Sequence, residues 1–105
     1  MSFEIIPWND LTLSKITLIN ETYGFLKSGN MVYGQCYFIA NENINSYTDI
    51  ISGLPKIKKL EGGTLWSAPD NKPIGLALYQ QSGNIQNAIA LTEGQQYLLS
   101  VQGIL

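Results

Sequence analysis

Short apolar segments recur along the chain at intervals of about ten residues, and Gly, Pro, Asn, Asp and Ser separate them. No stretch shows a helical period with capping residues, and no internal repeat is visible. This pattern predicts a single all-β domain over residues 1–105, an antiparallel β-sandwich of jelly-roll type with roughly eight to ten short strands. Residues 1–14 are predicted to form an N-terminal extension or attachment segment. The predicted strands are 11–20, 25–27, Met31–Ala40, 47–51, 64–68, 74–79, 85–91 and 95–105.

The longest predicted strand, Met31–Ala40, is apolar on both faces. Val32, Cys36 and Phe38 alternate with Tyr33, Tyr37 and Ile39, so both faces carry large side chains. The last segment, 95–105, shows the same property through its Leu and Ile residues. Strands of this kind are expected at the centre of a sheet or at a subunit contact. The candidate oligomer-interface residues are Tyr33, Tyr37, Leu98 and Ile104.

Segment 74–79 alternates large and small residues. The pattern predicts a half-buried strand with Leu76 and Leu78 on one face and Tyr79 on the other. Gln81 follows on the side of Tyr79. The sequence leaves open whether the face of Tyr79 and Gln81 is exposed to solvent or contacts another subunit.

The charge pattern excludes several classes of partner. Eight carboxylates stand against six lysines, arginine is absent, and the formal net charge is −2. Since nucleic-acid binding needs a basic face and benefits from Arg, we expect no nucleic-acid partner. No apolar window approaches the ~20 residues that span a bilayer, so no membrane insertion is expected. Cys36 is the single cysteine; it cannot form an internal disulfide, and its apolar surroundings predict a buried, inert thiol.

The sequence lacks the residues of common catalytic centres. It contains no histidine, which excludes Ser-His-Asp and Cys-His catalysis and any zinc site that uses histidine. Nucleotide-binding glycine motifs are absent too. Asp49, Glu61, Asp70 and Glu93 are the remaining acid/base candidates. All four lie in or beside predicted turns, where carboxylates are usually solvated or capping. We therefore expect no enzyme, no metal and no cofactor.

Trp66 and the polar turn that follows it suggest a binding surface. An aromatic ring covers the apolar face of a sugar, while amides and carboxylates bind its hydroxyls. The candidate ligand-binding residues are Trp66, Asp70, Asn71, Tyr79 and Gln81. The alternative is that Trp66 fills the core. Trp8, which follows Pro7, is expected to pack against a neighbour.

The order of several phrases resembles the C-terminal β-sandwich domains of bacteriophage tail-fibre and baseplate receptor-binding proteins. A long strand, Met31–Ala40, precedes a short strand and the phrase Ile50-Ile51-Ser52-Gly53-Leu54-Pro55-Lys56. The chain closes with two strands around the turn Thr92-Glu93-Gly94, the last of which contains Tyr97. The similarity covers residues 15–105. The chain departs from the pattern at 57–59, where Ile-Lys-Lys stands in place of a Tyr-Arg-Pro phrase, and it begins at Met1 with no visible attachment shaft.

The resemblance implies a homotrimer that recognises a host surface polysaccharide and contacts other phage tail proteins. It also implies a location in the virion tail, after synthesis in the cytoplasm of a bacterial host. The alternative is a structural tail or virion decoration protein that binds no sugar. The resemblance does not identify which residues contact the saccharide.

Overall fold

A computed structural model describes residues 3–20 and 24–105. Ten strands, all paired antiparallel, form one sheet curled into a half-barrel, which confirms the predicted all-β class and strand number. The strands are β1 (Glu4–Ile6), β2 (Thr12–Leu13), β3 (Ile16–Asn20), β4 (Phe25–Ser28), β5 (Met31–Ala40), β6 (Asp49–Ser52), β7 (Glu61–Ser67), β8 (Lys72–Tyr79), β9 (Ile85–Asn87) and β10 (Gln96–Ile104). A 3-10 helix, Trp8–Asp10, lies between β1 and β2. Within the described residues, no helix is long and apolar enough to cross a membrane.

The sheet follows the order β1-β4-β5-β10-β7-β8-β9-β6-β2, and β3 pairs with β5 beyond the end of β4. The two long strands β5 and β10 pair over nine residue pairs, from Gln96 opposite Ile39 to Ile104 opposite Met31. They lie next to each other in the interior of the sheet, as expected for strands that are apolar on both sides. A two-residue turn, in which Gly29 has a φ of 59°, joins β4 to β5.

The N-terminal segment contributes strands to both ends of the sheet. β1 lies at one end of the strand order and β2 at the other, and only the short 3-10 helix separates them along the chain. Leu11, between the helix and β2, is 9% exposed and belongs to the core. The segment predicted to be an extension therefore contributes both terminal strands of the sheet, and its residues 1 and 2 lie outside the described part. Two very short edge strands also limit unwanted pairing with other chains.

The inner face of the sheet encloses a core of large aliphatic and aromatic side chains. Phe38 and Tyr97 stack with their ring centroids 5.7 Å apart. Phe25 packs edge-to-face against Trp8, with centroids 5.5 Å apart, so Trp8 packs within its own chain. Cys36 is fully buried, and burial raises the pKa of its thiol from 9.0 to about 12. The prediction of a buried, inert thiol is confirmed.

Several elements differ from the sequence prediction; one of them is β9, which covers Ile85–Asn87 and not 85–91. Segment 11–20 divides into β2 and β3 because Lys15 adopts a left-handed conformation with a φ of 67°, which interrupts an extended strand. β1 was not predicted. β7 begins at Glu61 and not at Thr64, because Gly62 and Gly63 pair with β8.

The predicted inside of β8 is also wrong. Ala77 and Tyr79 are fully buried, whereas Leu76 is 53% exposed. The small residues of this strand lie where other segments of the same chain approach closely: a Cβ on Gly75 would be 2.7 Å from the Ile89 side chain. Tyr79 then fills the remaining space, and it donates a hydrogen bond of 2.6 Å to the carbonyl of Pro55. Tertiary contacts, and not the size of the side chains, decide which face is buried.

Candidate functional site

Six neighbouring strands present an outer face that alternates with the core positions. Strand pairing aligns its side chains in rows across β1, β4, β5, β10, β7 and β8. The residues of these rows are Ile5, Leu26, Tyr33 and Gln102; Gln35, Ser100, Thr64 and Leu76; and Tyr37, Leu98, Trp66 and Pro73. None of these residues is charged. Since ordinary protein surfaces carry about a quarter to a third charged residues, this face is distinct. We call it the outer face.

A groove of about 570 Å³ lies where β1, β4, β5 and β10 adjoin. This is within the size range of sites for small ligands. Its lining consists of Ile5, Ile6, Pro7, Trp8, Gly24, Phe25, Leu26, Tyr33, Gly34, Gln35, Ser100, Val101 and Gln102. The lining contains no charged residue. It includes all four residues of the first outer-face row and two residues of the second, Gln35 and Ser100.

The groove combines aromatic rings with neutral hydrogen-bonding groups. Trp8 is half-buried and packs on Phe25, and a Cβ on Gly24 would be 3.7 Å from its indole nitrogen. Tyr33 is 42% exposed. Gln35 and Gln102 offer amide donors and acceptors, and Ser100 offers a hydroxyl. Rings that cover apolar C–H groups, together with neutral polar groups, suit a neutral polyhydroxylated ligand.

Trp66 lies in a second part of the outer face. It pairs with Leu98 on one side and Pro73 on the other, and Leu98 pairs with Tyr37. A cavity of about 120 Å³ beside this row is lined by Tyr37, Ala68, Asn71 and Leu98. The Tyr37 hydroxyl donates to Gln96 Oε1 at 2.9 Å. This cavity is about a fifth of the volume of the groove.

The predicted ligand-binding residues fall into two groups. Trp66 is near the end of β7, and Asp70 and Asn71 are exposed in the turn that follows it, between β7 and β8. These three residues therefore form one group. Asn71 has a φ of 52°, a left-handed conformation that Asn tolerates. Trp66 is on the outer face and is only half-buried, so the alternative of a core Trp66 does not describe its position.

Tyr79 and Gln81 do not join that group. Tyr79 is fully buried in the core, and it therefore cannot contact a ligand at the surface. Its burial raises the pKa of its hydroxyl from 10.0 to about 12. Gln81 lies beyond the opposite end of β8, and the strand itself extends roughly 20 Å from Pro73 to Tyr79 at the usual rise per residue. Its side-chain amide donates to the Lys58 carbonyl at 2.7 Å.

The four predicted interface residues lie on one face. Tyr33 and Tyr37 of β5 and Leu98 and Ile104 of β10 occupy outer-face positions of adjacent strands. Tyr33 is 42% and Ile104 38% exposed, whereas Tyr37 and Leu98 are partly buried by their neighbours. The expectation that both faces of β5 are covered is not met within the chain, because the outer face has no second layer in the described part.

Sequence reasoning missed most of the groove. Three of its polar residues lie on one face of two strands predicted as apolar: Gln35 in β5, and Ser100 and Gln102 in β10. Comparing the polar positions of these strands with the two-residue period could have identified them. Trp8 carried no such signal, because its place beside Gly24 depends on the pairing of β1 with β4.

Two of the carboxylates considered for catalysis, those of Asp49 and Glu93, lie in segments with different hydrogen-bond partners. Asp49 accepts hydrogen bonds from the side chains of Gln86, at 2.8 Å, and Asn84, at 3.2 Å, which joins β6 to β9. Glu93 follows β9 in a turn, and its backbone N–H donates to Asn43 Oδ1. Residues 3–20 and 24–105 contain no group of three or more His, Cys, Asp or Glu side chains that could hold a metal ion.

Comparison with protein-family models, with curated proteins and with solved structures finds no match. The assignment of a function therefore depends on the fold, the outer face and the groove.

Proposed function

We propose that this protein is a receptor-binding domain of a bacteriophage tail or baseplate that binds neutral parts of a host surface saccharide through the groove. The observation that supports it most is the groove lining, which places Trp8 and Tyr33 with Gln35, Ser100 and Gln102 and includes no charge. The sequence resemblance supplies the phage context. It also supplies the proposed homotrimer, the proposed contacts with other tail proteins and the proposed location in the virion.

Saccharide binding follows from the chemistry of this lining. The exposed ring of Tyr33 can cover the apolar face of a sugar, and the amides of Gln35 and Gln102 can exchange hydrogen bonds with its hydroxyls. A charged lining would impose a desolvation cost on contact with a neutral ligand, and this groove avoids that cost.

A glycan array that carries neutral and anionic bacterial polysaccharides tests this function. Tyr33→Ala removes the exposed ring and is expected to weaken binding about tenfold, since it removes roughly 1–2 kcal/mol of contact energy. Trp66 does not line the groove, so Trp66→Ala is expected to leave binding unchanged. Tyr47→Asn is the matched control: Tyr47 is 65% exposed in the loop after β5, and its φ of 63° suits Asn.

Equal binding by wild type and Tyr33→Ala would remove the groove as the site. A loss with Trp66→Ala alone would move the site to the row of Tyr37, Leu98 and Trp66. If the wild-type protein binds no glycan on the array, the proposed function is wrong.

The uncharged outer face also favours a second candidate, a structural tail or virion protein without sugar binding. Interface cores are depleted of charge and enriched in Tyr and Trp, as the outer face is. Tight association with another tail protein, combined with no response on the glycan array, distinguishes this candidate from the first.

A further inference from the structure

A basic loop lies next to the groove. Lys56, Lys58 and Lys59 are exposed within residues 53–60, which connect β6 to β7. These three residues are half of the six lysines of a chain whose net charge is −2. Among the described residues the one ion pair joins Lys15 to Glu42, so the three loop lysines have no acidic partner there.

The loop is anchored at several points. Leu54 and Ile57 are 4% and 5% exposed and belong to the core. The Leu54 N–H donates to the Gly83 carbonyl at 3.2 Å, and the Pro55 carbonyl accepts the hydroxyl of Tyr79. Apolar anchors thus alternate with outward lysines. A loop held in this way presents its charges with little ordering cost on binding.

Lys58 is also hydrogen-bonded to β10, one of the strands that adjoin the groove. Its N–H donates to the Ile104 carbonyl at 2.8 Å, and its own carbonyl accepts the side-chain amide of Gln81. Ile104 is two residues beyond Gln102, which lines the groove, or about 7 Å further along β10. A chain of a few sugar units that lies over Gln102 can therefore reach the loop.

We infer that the saccharide is an anionic polymer, whose neutral rings lie in the groove while its carboxylate or phosphate groups contact Lys56, Lys58 and Lys59. The inference rests on the proposed function for the groove. Ammonium groups that lack partners attract such anions over a distance set by the ionic strength. Three point charges, with no arginine, suit anions spaced along a flexible chain better than a single bidentate contact.

Binding to immobilised polygalacturonate, polyphosphate and dextran, at low and high salt, tests the inference. The variant Lys56→Gln/Lys58→Gln/Lys59→Gln is compared with Lys15→Gln/Lys27→Gln/Lys72→Gln. Both variants change the net charge from −2 to −5, so the amount of charge removed is the same and its place differs; the control variant also removes the ion pair of Lys15 with Glu42. Circular dichroism establishes that both remain folded.

The wild-type protein is expected to bind polygalacturonate more tightly than dextran, and to lose this advantage at high salt. The loop variant is expected to weaken binding to the anionic polymer about tenfold, and the control variant less than twofold. Polyphosphate, which has no sugar ring, shows whether phosphate groups serve as well as carboxylates at the lysines.

Three results overturn the inference. In the first, the loop variant binds polygalacturonate as the wild type does. In the second, both triple variants lose binding equally, so that only net charge matters. In the third, duplex DNA binds as tightly as polygalacturonate. If polygalacturonate and dextran bind equally and the loop variant changes neither, the proposed function stands without the inference; if no polysaccharide binds, both fail.

Discussion

Cys36 and Tyr79 are titratable groups that the fold keeps neutral. Both are fully buried, and burial raises the pKa of each to about 12, from 9.0 for the thiol and 10.0 for the hydroxyl. Below pH 9 each group is protonated in both the folded and the unfolded chain. Above that pH the unfolded chain releases protons that the folded chain retains, so the stability these groups supply is lost as the pH rises from 9 towards 12.

Cys36→Ala is expected to reduce this alkaline loss. Between pH 8 and pH 11 the free energy of unfolding of the wild type should fall by about 2 kcal/mol more than that of the variant, because only the wild type has the thiol. Urea unfolding at the two pH values measures the difference. The deprotonation of lysines is common to both proteins and cancels. An equal fall in the two proteins would show that the thiol is not protected by burial.

At the same scale, the groove depends on small residues as much as on rings. Gly34 leaves room for the ring of Phe25, whereas a Cβ on Gly24 would only be in ordinary contact with the indole of Trp8, at 3.7 Å. The sequence has a tyrosine at 33 and a glutamine at 35, but neither residue type by itself indicates that it borders a groove. That property arises when β1 and β10 come to lie on the two sides of β4 and β5.

The pairing of β4 with β5 depends on a glycine, because residue 34 has no room for a side chain. Phe25 is opposite Gly34, and a Cβ on Gly34 would lie 2.0 Å from Phe25 Cδ1. Gly62 of β7 provides a comparison, because a Cβ there would meet nothing within 4 Å. Close packing makes the first position intolerant of added volume.

Gly34→Ala is therefore expected to lower the free energy of unfolding by about 2 kcal/mol or more, since the Phe25 ring must move. Gly62→Ala is expected to change it by less than about 1 kcal/mol. Denaturant unfolding of the two variants under one set of conditions measures both values. Similar midpoints for the two variants would contradict the placement of Phe25 over Gly34.

Among the elements, the longest segments were the most predictable. Met31–Ala40 has the predicted bounds because its side chains alternate over the whole strand and turn residues precede it. Lys15 divides segment 11–20. Lysine is not one of the residue types that usually adopt a left-handed conformation, so the local sequence showed no sign of the break. β1 has only three residues, which is too few to show a period.

At the scale of the whole molecule, the outer face raises the question of assembly. It extends over six strands without a charge, and it includes the predicted interface residues Tyr33, Tyr37, Leu98 and Ile104. Contact between copies around Tyr37 and Leu98 would cover apolar side chains of this face without covering Tyr33, and it would bring together surfaces that do not repel. The anionic-polymer site at the end of this face does not depend on the residues around Leu98.

If copies associate as the resemblance implies, light scattering should give a mass near three times 11.6 kDa. Leu98→Lys places a charge in the middle of the outer face and is expected to shift the mass towards that of one chain, because the charge would be buried without a partner. Leu60→Lys is the control, since Leu60 is 51% exposed in the loop before β7. A wild-type protein with the mass of a single chain would contradict the homotrimer.

The sequence by itself determined the class of the fold, the long strand Met31–Ala40, the inert thiol and the absence of histidine chemistry. These properties depend on local alternation, on turn residues and on which residue types are present. The tertiary structure decided that residues 4–13 form both edges of the sheet, that Tyr79 faces the core and not a ligand, and that Lys58 adjoins the groove strand. Each of these depends on pairing between residues distant in the chain, which alternation within one strand does not encode.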